Sequence, residues 1–164
     1  MELERLNREI IFRGMSENKW YYGLLTFMFG SYAIVDPKDE NIVHLVDEKT
    51  VGQYIGRKDE NDDCIFEEDI ASVIIQRYVF GFYQETEYVG IVKYDEKECV
   101  YYLDLMKRPI ESGETIPDEI DGISISSESD EELERFYFNE NIVEEDIRIS
   151  GNIYNNPELL EDIK

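Results

Sequence analysis

The chain has 164 residues, with 16 Lys+Arg against 39 Asp+Glu for a formal net charge of −23, and a single histidine. That balance excludes DNA, RNA and anionic membrane surfaces as partners, because affinity for them comes mainly from Lys and Arg displacing counterions. A hydrophobic share of 42% with 12 Tyr and 8 Phe equally excludes wholesale disorder, which needs low hydrophobicity and few aromatics.

The length suits one domain, or two small intertwined units, and a chain near 150 residues buries roughly 68–70% of its unfolded surface. No apolar run reaches the roughly 18 residues of a spanning helix, and Met1-Glu2-Leu3-Glu4-Arg5 has neither the basic start nor the apolar stretch of a signal peptide, so the expected compartment is the cytoplasm. Cys64 and Cys99 lie outside any C-x-x-C pair and read as reduced, packed and not joined to each other.

In chain order, Arg8 to Gly14 is β-branched and aromatic and reads as a first strand, Lys19 to Gly30 as a second. Ser31 to Val35, stopped by Asp36-Pro37, and Ile42 to Val46, stopped by Asp47-Glu48, read as third and fourth strands. Thr50 to Gly56 carries two glycines, each worth about 1 kcal/mol against a helix, and is expected to be an irregular strand or a single turn. A charged loop, Arg57 to Asp63, leads to Cys64-Ile65-Phe66 and then to the longest apolar stretch, Ile70 to Tyr83. Tyr88 to Tyr94 and Cys99 to Leu105 read as two further strands around an Asp95-Glu96-Lys97 turn, and strand chemistry returns at Leu133 to Phe138 and Ile147 to Tyr154. A short helix closes the chain, with Asn156 as N-cap and Pro157 in its first position. Strand runs at this spacing predict a mainly β fold, a small barrel or sandwich.

Between Glu111 and Glu134 there are ten acidic residues and no basic one. This stretch reads as a solvated loop, and its densest part, Glu128, Asp130, Glu131, Glu132 and Glu134, is the candidate acidic face for a basic protein partner.

No catalytic, metal or cofactor motif emerges. His44 sits within Val43-His44-Leu45 with no serine or cysteine neighbour to activate, and the chain lacks G-x-S-x-G, a Walker loop and H-E-x-x-H. The acidic run from Asp59 to Asp63 fails the calcium-loop pattern, with Cys64 at position six and Ile70 at position twelve. Trp20, Tyr21 and Tyr22 could stack bases, but the accompanying positive groove is missing, so core packing is the better account. The mildly basic arm Arg5, Arg8, Arg13 and Lys19 is expected to pair with acidic groups of its own or a neighbouring chain.

Three blocks are familiar together: Ile11 to Gly14 followed by Trp20 to Gly23; Thr50 to Asn61 running into Ile65 to Ile70; and Gly151 to Leu160. They resemble the YopX family of phage and prophage proteins, in the family's order and over nearly the whole chain. The central block, with Gly52, Gln53, Tyr54, Gly56, Asp59, Phe66, Asp69 and Ile70, is the most specific and is the candidate structural motif. Glu68 departs from the pattern, since members similar to this chain usually have glycine there, and it removes the sequence ground for a positive-φ turn. The resemblance implies a mostly β protein with Src-homology-3-like rolls, carried in phage or prophage genomes of bacteria, with no established activity and no catalytic residues. On this reading residues 1–56 form an N-terminal β region packing on a barrel of residues 57–164, or the two make one intertwined domain.

The expected role is a non-enzymatic accessory protein acting through protein contacts, as a homo-oligomer. An acidic decoy that imitates DNA and captures a basic protein is the alternative, and a carboxylate-dependent enzyme the third reading.

Overall fold

A computed structural model describes residues 9–125 and 133–163. It is mainly β, 59% strand and 5% helical. The strands are β1 (Phe12–Ser16), β2 (Lys19–Met28), β3 (Ser31–Val35), β4 (Val43–Leu45), β5 (Asp47–Lys58), β6 (Cys64–Phe66), β7 (Asp69–Val79), β8 (Phe82–Asp95), β9 (Val100–Leu105), β10 (Ile110–Gly113), β11 (Glu119–Ile120), β12 (Ile123–Ser124), β13 (Arg135–Tyr137) and β14 (Ile147–Asn152). Short 3₁₀ helices cover Glu144–Asp146 and Pro157–Ile163. Asn156 caps the terminal helix through its backbone carbonyl, which accepts from Leu159 at 3.1 Å, while its side-chain Oδ1 accepts from the Asn152 N–H at 3.3 Å and its Nδ2 donates to Glu158 Oε1 at 3.2 Å.

All pairing is antiparallel. One six-stranded sheet has the order β4-β3-β2-β1-β5-β6; a second runs β13-β9-β8-β7-β14, with β10 alongside β8; β11 and β12 make a separate two-stranded sheet. The expected barrel does not close among the described residues, and β4, β6, β13 and β14 are left as edges. The reason lies in β8, which is long enough to pair with β10 over Gln84 to Glu87 and with β9 over Gly90 to Asp95, so the sheet extends lengthwise instead of bringing β13 round to β14.

The apolar stretch Ile70 to Tyr83 is not one strand. It is broken by a two-residue turn, Phe80-Gly81, between the paired residues Val79 and Phe82, and the segment Tyr88 to Tyr94 is the second half of β8. The turn residues have φ of +52° and +88°, and Phe29-Gly30 repeats the geometry between β2 and β3 with +53° and +77°. Positive φ at both central positions is what lets a two-residue loop follow the twist of its strands. Thr50 to Gly56 lies within a continuous twelve-residue β5, whose first half pairs with β1 and second half with β6, the register shifting between Tyr54 and Lys58 where Gly56 takes φ +83°.

The core is shared between sheets. Ile55 and Ile65 of the first pack with Ala71, Val73, Val92, Leu103, Ile142 and Ile147 around the second. The chain passes from one sheet to the other at Glu67-Glu68: the Glu67 N–H donates to the Gln53 carbonyl in β5, and the next amide, of Glu68, donates to the Val92 carbonyl in β8. Cys64 and Cys99 are free thiols, and Cys99 is exposed rather than packed, because it starts the return to β9 with φ +56°.

Candidate functional site

Beside this crossing stands a buried ion pair. Arg13 leaves β1 at a register shift between Arg13 and Met15, and its Nη1 lies 2.7 Å from Asp69 Oδ1 at the start of β7, with side chains 5% and 3% exposed. The second guanidinium nitrogen, Nη2, donates to the Glu67 carbonyl at 2.9 Å. The guanidinium carbon is 4.6 Å from the Trp20 ring centre and 5.0 Å from that of Phe66, so the charge is clasped between two aromatic rings as well as neutralised. Asp69 Oδ2 in turn accepts the Phe66 N–H at 2.8 Å, closing the bend between β6 and β7. Burial pushes the Asp69 carboxyl above its ordinary value, against the downward pull of Arg13 and the Phe66 amide. Arg13 Nε is the buried side-chain nitrogen that has no hydrogen-bond partner among the described residues.

The motif residues surround this pair. Gly52 lies opposite Arg13 across the strands, and a Cβ there would come within 3.0 Å of the Glu67 carbonyl oxygen that Arg13 holds. The Gln53 N–H donates to Glu67 Oε2 at 2.8 Å. Tyr54 is buried, its ring 5.8 Å from Phe66, and Ile70 belongs to the buried core. Asp59 is 3% exposed and organises the loop after β5: Oδ1 accepts the N–H groups of Asn61 and Asp63 at 2.9 and 3.1 Å, while Oδ2 accepts that of Ile149 at 3.3 Å, tying the loop to β14. Burial works to raise the Asp59 carboxyl, but the three amides outweigh it and hold it below the ordinary carboxylate value.

The third sequence block arrives at the same place. The Trp20 indole N–H donates to Asn155 Oδ1 at 2.9 Å, its ring meets Tyr154 edge-on at 5.9 Å, and the Tyr154 hydroxyl donates to the Lys49 carbonyl. Gly151 is required here, since a Cβ would sit 2.2 Å from Asn156 Oδ1. Segments 11–23, 50–70 and 151–156, far apart in sequence, therefore converge on one cavity of about 590 Å³ whose lining includes Arg13, Tyr22, Asp59, Phe66, Asp69 and Gly151. The chemistry of this arrangement is that of a clasp, in which Arg13 and Trp20 of the first segment are held by Glu67 and Asp69 of the second and Asn155 of the third.

Glu68 keeps a positive φ of +67° although it is not glycine. Its carbonyl accepts the Ile153 N–H at 3.1 Å while its own amide serves β8, and this double engagement imposes the conformation. Arg13 does pair with an acid of its own chain; Arg5 and Arg8 lie outside the described residues, and Lys19 Nζ stands 5.2 Å from the Tyr21 ring centre. Of the acidic face, Glu128, Asp130, Glu131 and Glu132 lie outside the described residues, and Glu134 is exposed, its carbonyl accepting the Leu105 N–H at 2.9 Å. His44 stacks on Tyr21 at 3.8 Å. Sequence reasoning passed over Trp20 and Asn155 as partners; the signal available was a lone tryptophan beside Arg13 and an Asn-rich tail, which gives residue types without pairing them.

No helix among the described residues is long and apolar enough to cross a membrane. No curated protein and no solved structure matches the chain. A family model does, the YopX protein model, over residues 12–161, the span from the first residue of β1 into the terminal helix that the clasp ties together, and the chain belongs to that family.

Proposed function

We propose that this is a phage- or prophage-encoded accessory protein that works through protein–protein contacts, as a homo-oligomer in the bacterial cytoplasm and without catalysis. One observation carries the reading: two hairpin tips spend conformational energy to present phenylalanine to solvent. Phe29 is 90% exposed and Phe80 65% exposed, both in the left-handed region that disfavours a side chain by about 1–2 kcal/mol. Asparagine or aspartate would suit such turns better. Strain of this kind at an exposed position points to use of the position. Each tip is flanked by an aromatic pair, Phe27 with Tyr32 at 5.3 Å and Tyr78 with Tyr83 at 5.7 Å.

A second copy is the occupant best matched to the β2–β3 tip. Residues 20–35 contain no charged side chain in a chain that is 34% charged, so self-repulsion is weakest where this face meets another. Leu24, Phe27, Tyr32 and Leu45 extend the exposed apolar surface toward the β4 edge, whose unpaired backbone groups offer a template for a neighbouring strand. We read the shared core of β5, β6 and the second sheet as an open Src-homology-3-like roll, supported by the irregularities that bend β5 and β14.

The test is light-scattering mass at low and high salt. The expected result is a closed oligomer at micromolar concentration whose affinity rises with ionic strength, because salt screens the like charges beyond about 8 Å at physiological strength. The Phe29→Asn/Phe80→Asn protein should be monomeric yet at least as stable, since asparagine suits the turn. A monomeric mass for the parent protein at both salts refutes the reading. The acidic alternative has its own support in Glu111, Glu114, Asp118, Glu119 and Asp121, all exposed around β10 to β12. Affinity capture at two salt concentrations separates the two, because a basic partner of an acidic decoy is released as salt rises.

A further inference from the structure

A second cavity, of about 770 Å³, lies between β5 and the turn end of the β8–β9 hairpin, and its chemistry differs from that of the clasp. Its lining combines Glu9 and Glu67 with Tyr54, Tyr94 and Tyr101, and among the described residues it includes no Lys, Arg or His. Tyr94 and Tyr101 are cross-strand partners on one face, their ring centres 5.0 Å apart and inclined at 57°, so they make a corner rather than a flat wall. Glu67 is fixed in place because its Oε2 accepts the Gln53 N–H, leaving its charge directed by the backbone of β5. Gly56, exposed and with φ +83°, also borders the cavity, and a Cβ there would meet nothing within 4 Å.

From this geometry we infer that the cavity binds an alkylammonium group. Aromatic faces carry the negative part of the ring quadrupole and attract a cation within about 6 Å of their centres, and the attraction grows where water is partly excluded. Two carboxylates add full charges of the same sense, and the net −23 of the chain raises the local concentration of cations at any concave site. An anion would meet like charge on entry, and a neutral apolar group would gain nothing from the two carboxylates, so a cation of moderate size with methylene or methyl groups satisfies both kinds of wall. The volume lies within the range of small-ligand pockets. The group can arrive as a free small amine or as a lysine side chain on a peptide, and the same site chemistry serves either.

The experiment follows Tyr94 and Tyr101 ring resonances in the full chain while four probes are titrated: choline, its neutral isostere 3,3-dimethylbutan-1-ol, and the capped tripeptides Gly-Lys-Gly and Gly-Gln-Gly. Saturable shifts are expected with choline and with the lysine peptide but not with their neutral counterparts. Tighter binding of the peptide assigns the site to a lysine-bearing partner, and tighter binding of choline to a free amine. Glu9→Gln and Tyr94→Leu, at an exposed and a 42% exposed position, should each weaken binding about two- to fivefold without loss of fold. Shifts that fail to saturate, that the neutral isosteres reproduce, or that both variants leave unchanged would overturn the inference, since a diffuse counterion atmosphere behaves in that way.

Discussion

Replacing Asp69 by asparagine keeps the shape of the clasp while removing its negative charge. In the folded protein Arg13 would then remain buried, with its 2.7 Å ion pair reduced to a neutral hydrogen bond. Breaking one half of a buried pair costs about 3–5 kcal/mol, because the remaining charge has lost its compensation. Here four contacts soften the loss: the Glu67 carbonyl at 2.9 Å and the rings of Trp20 and Phe66 still face the guanidinium, and the asparagine oxygen can still accept the Phe66 amide. The expected destabilisation is therefore about 3 kcal/mol, a large share of the roughly 5–15 kcal/mol typical of a domain. Urea unfolding followed by tryptophan fluorescence reads it directly, since Trp20 stacks on the pair; with a slope of about 2 kcal/mol per molar the midpoint should fall by about 1.5 M. The double variant Arg13→Met/Asp69→Asn should regain part of that loss, because no unpaired charge stays buried while the asparagine oxygen still accepts the Phe66 amide. A midpoint shift below about 0.5 M for Asp69→Asn, or a double variant as unstable as the sum of its single changes, would show that the pair is not the centre of the clasp.

Glu68→Gly should stabilise the protein by about 0.5–1 kcal/mol, the left-handed penalty of about 1–2 kcal/mol less the extra freedom glycine gives the unfolded chain; a loss of stability in urea would contradict the assignment of strain. Burial holds the Glu68 carboxyl above its ordinary value, so the stability it contributes is present at low pH and declines as pH rises through the raised value; the advantage of the glycine variant should thus be larger near pH 7 than near pH 4. Asp59 has the opposite sign: burial is outweighed by three backbone amides, its carboxyl titrates lower in the folded state, and its stabilisation holds above the ordinary carboxylate value and fades as pH falls through the depressed one. Asp59→Asn should accordingly lose about 2 kcal/mol at neutral pH and show a flatter acid limb in urea midpoints measured against pH. For the hairpin tips, the Phe29→Asn/Phe80→Asn protein should trade association for a midpoint equal to or above that of the parent, and a destabilised monomer would argue that the phenylalanines serve the fold instead.

Local chemistry settled much of the secondary structure before any contact was known. Ser31 to Val35 is bounded by Gly30 and by Asp36-Pro37, and its strand begins and ends at the expected residues because glycine and proline act on the backbone within one or two positions. Phe80-Gly81 was not readable in the same way: phenylalanine is a strand former by propensity, and only pairing of Val79 with Phe82 forces it into a turn conformation it disfavours. Glu68 makes the same point from the other side, since its side chain argues against positive φ while two hydrogen bonds to different strands demand it. The sequence blocks of the clasp could be recognised as a set, but the pairing of Arg13 with Asp69, 56 positions away, and of Trp20 with Asn155 depends on how two sheets meet. With 39 carboxylates available, residue type cannot select the one that a buried guanidinium will face; the selection is made by the fold, which buries Asp69 2.7 Å from Arg13 and excludes the water that would otherwise satisfy it.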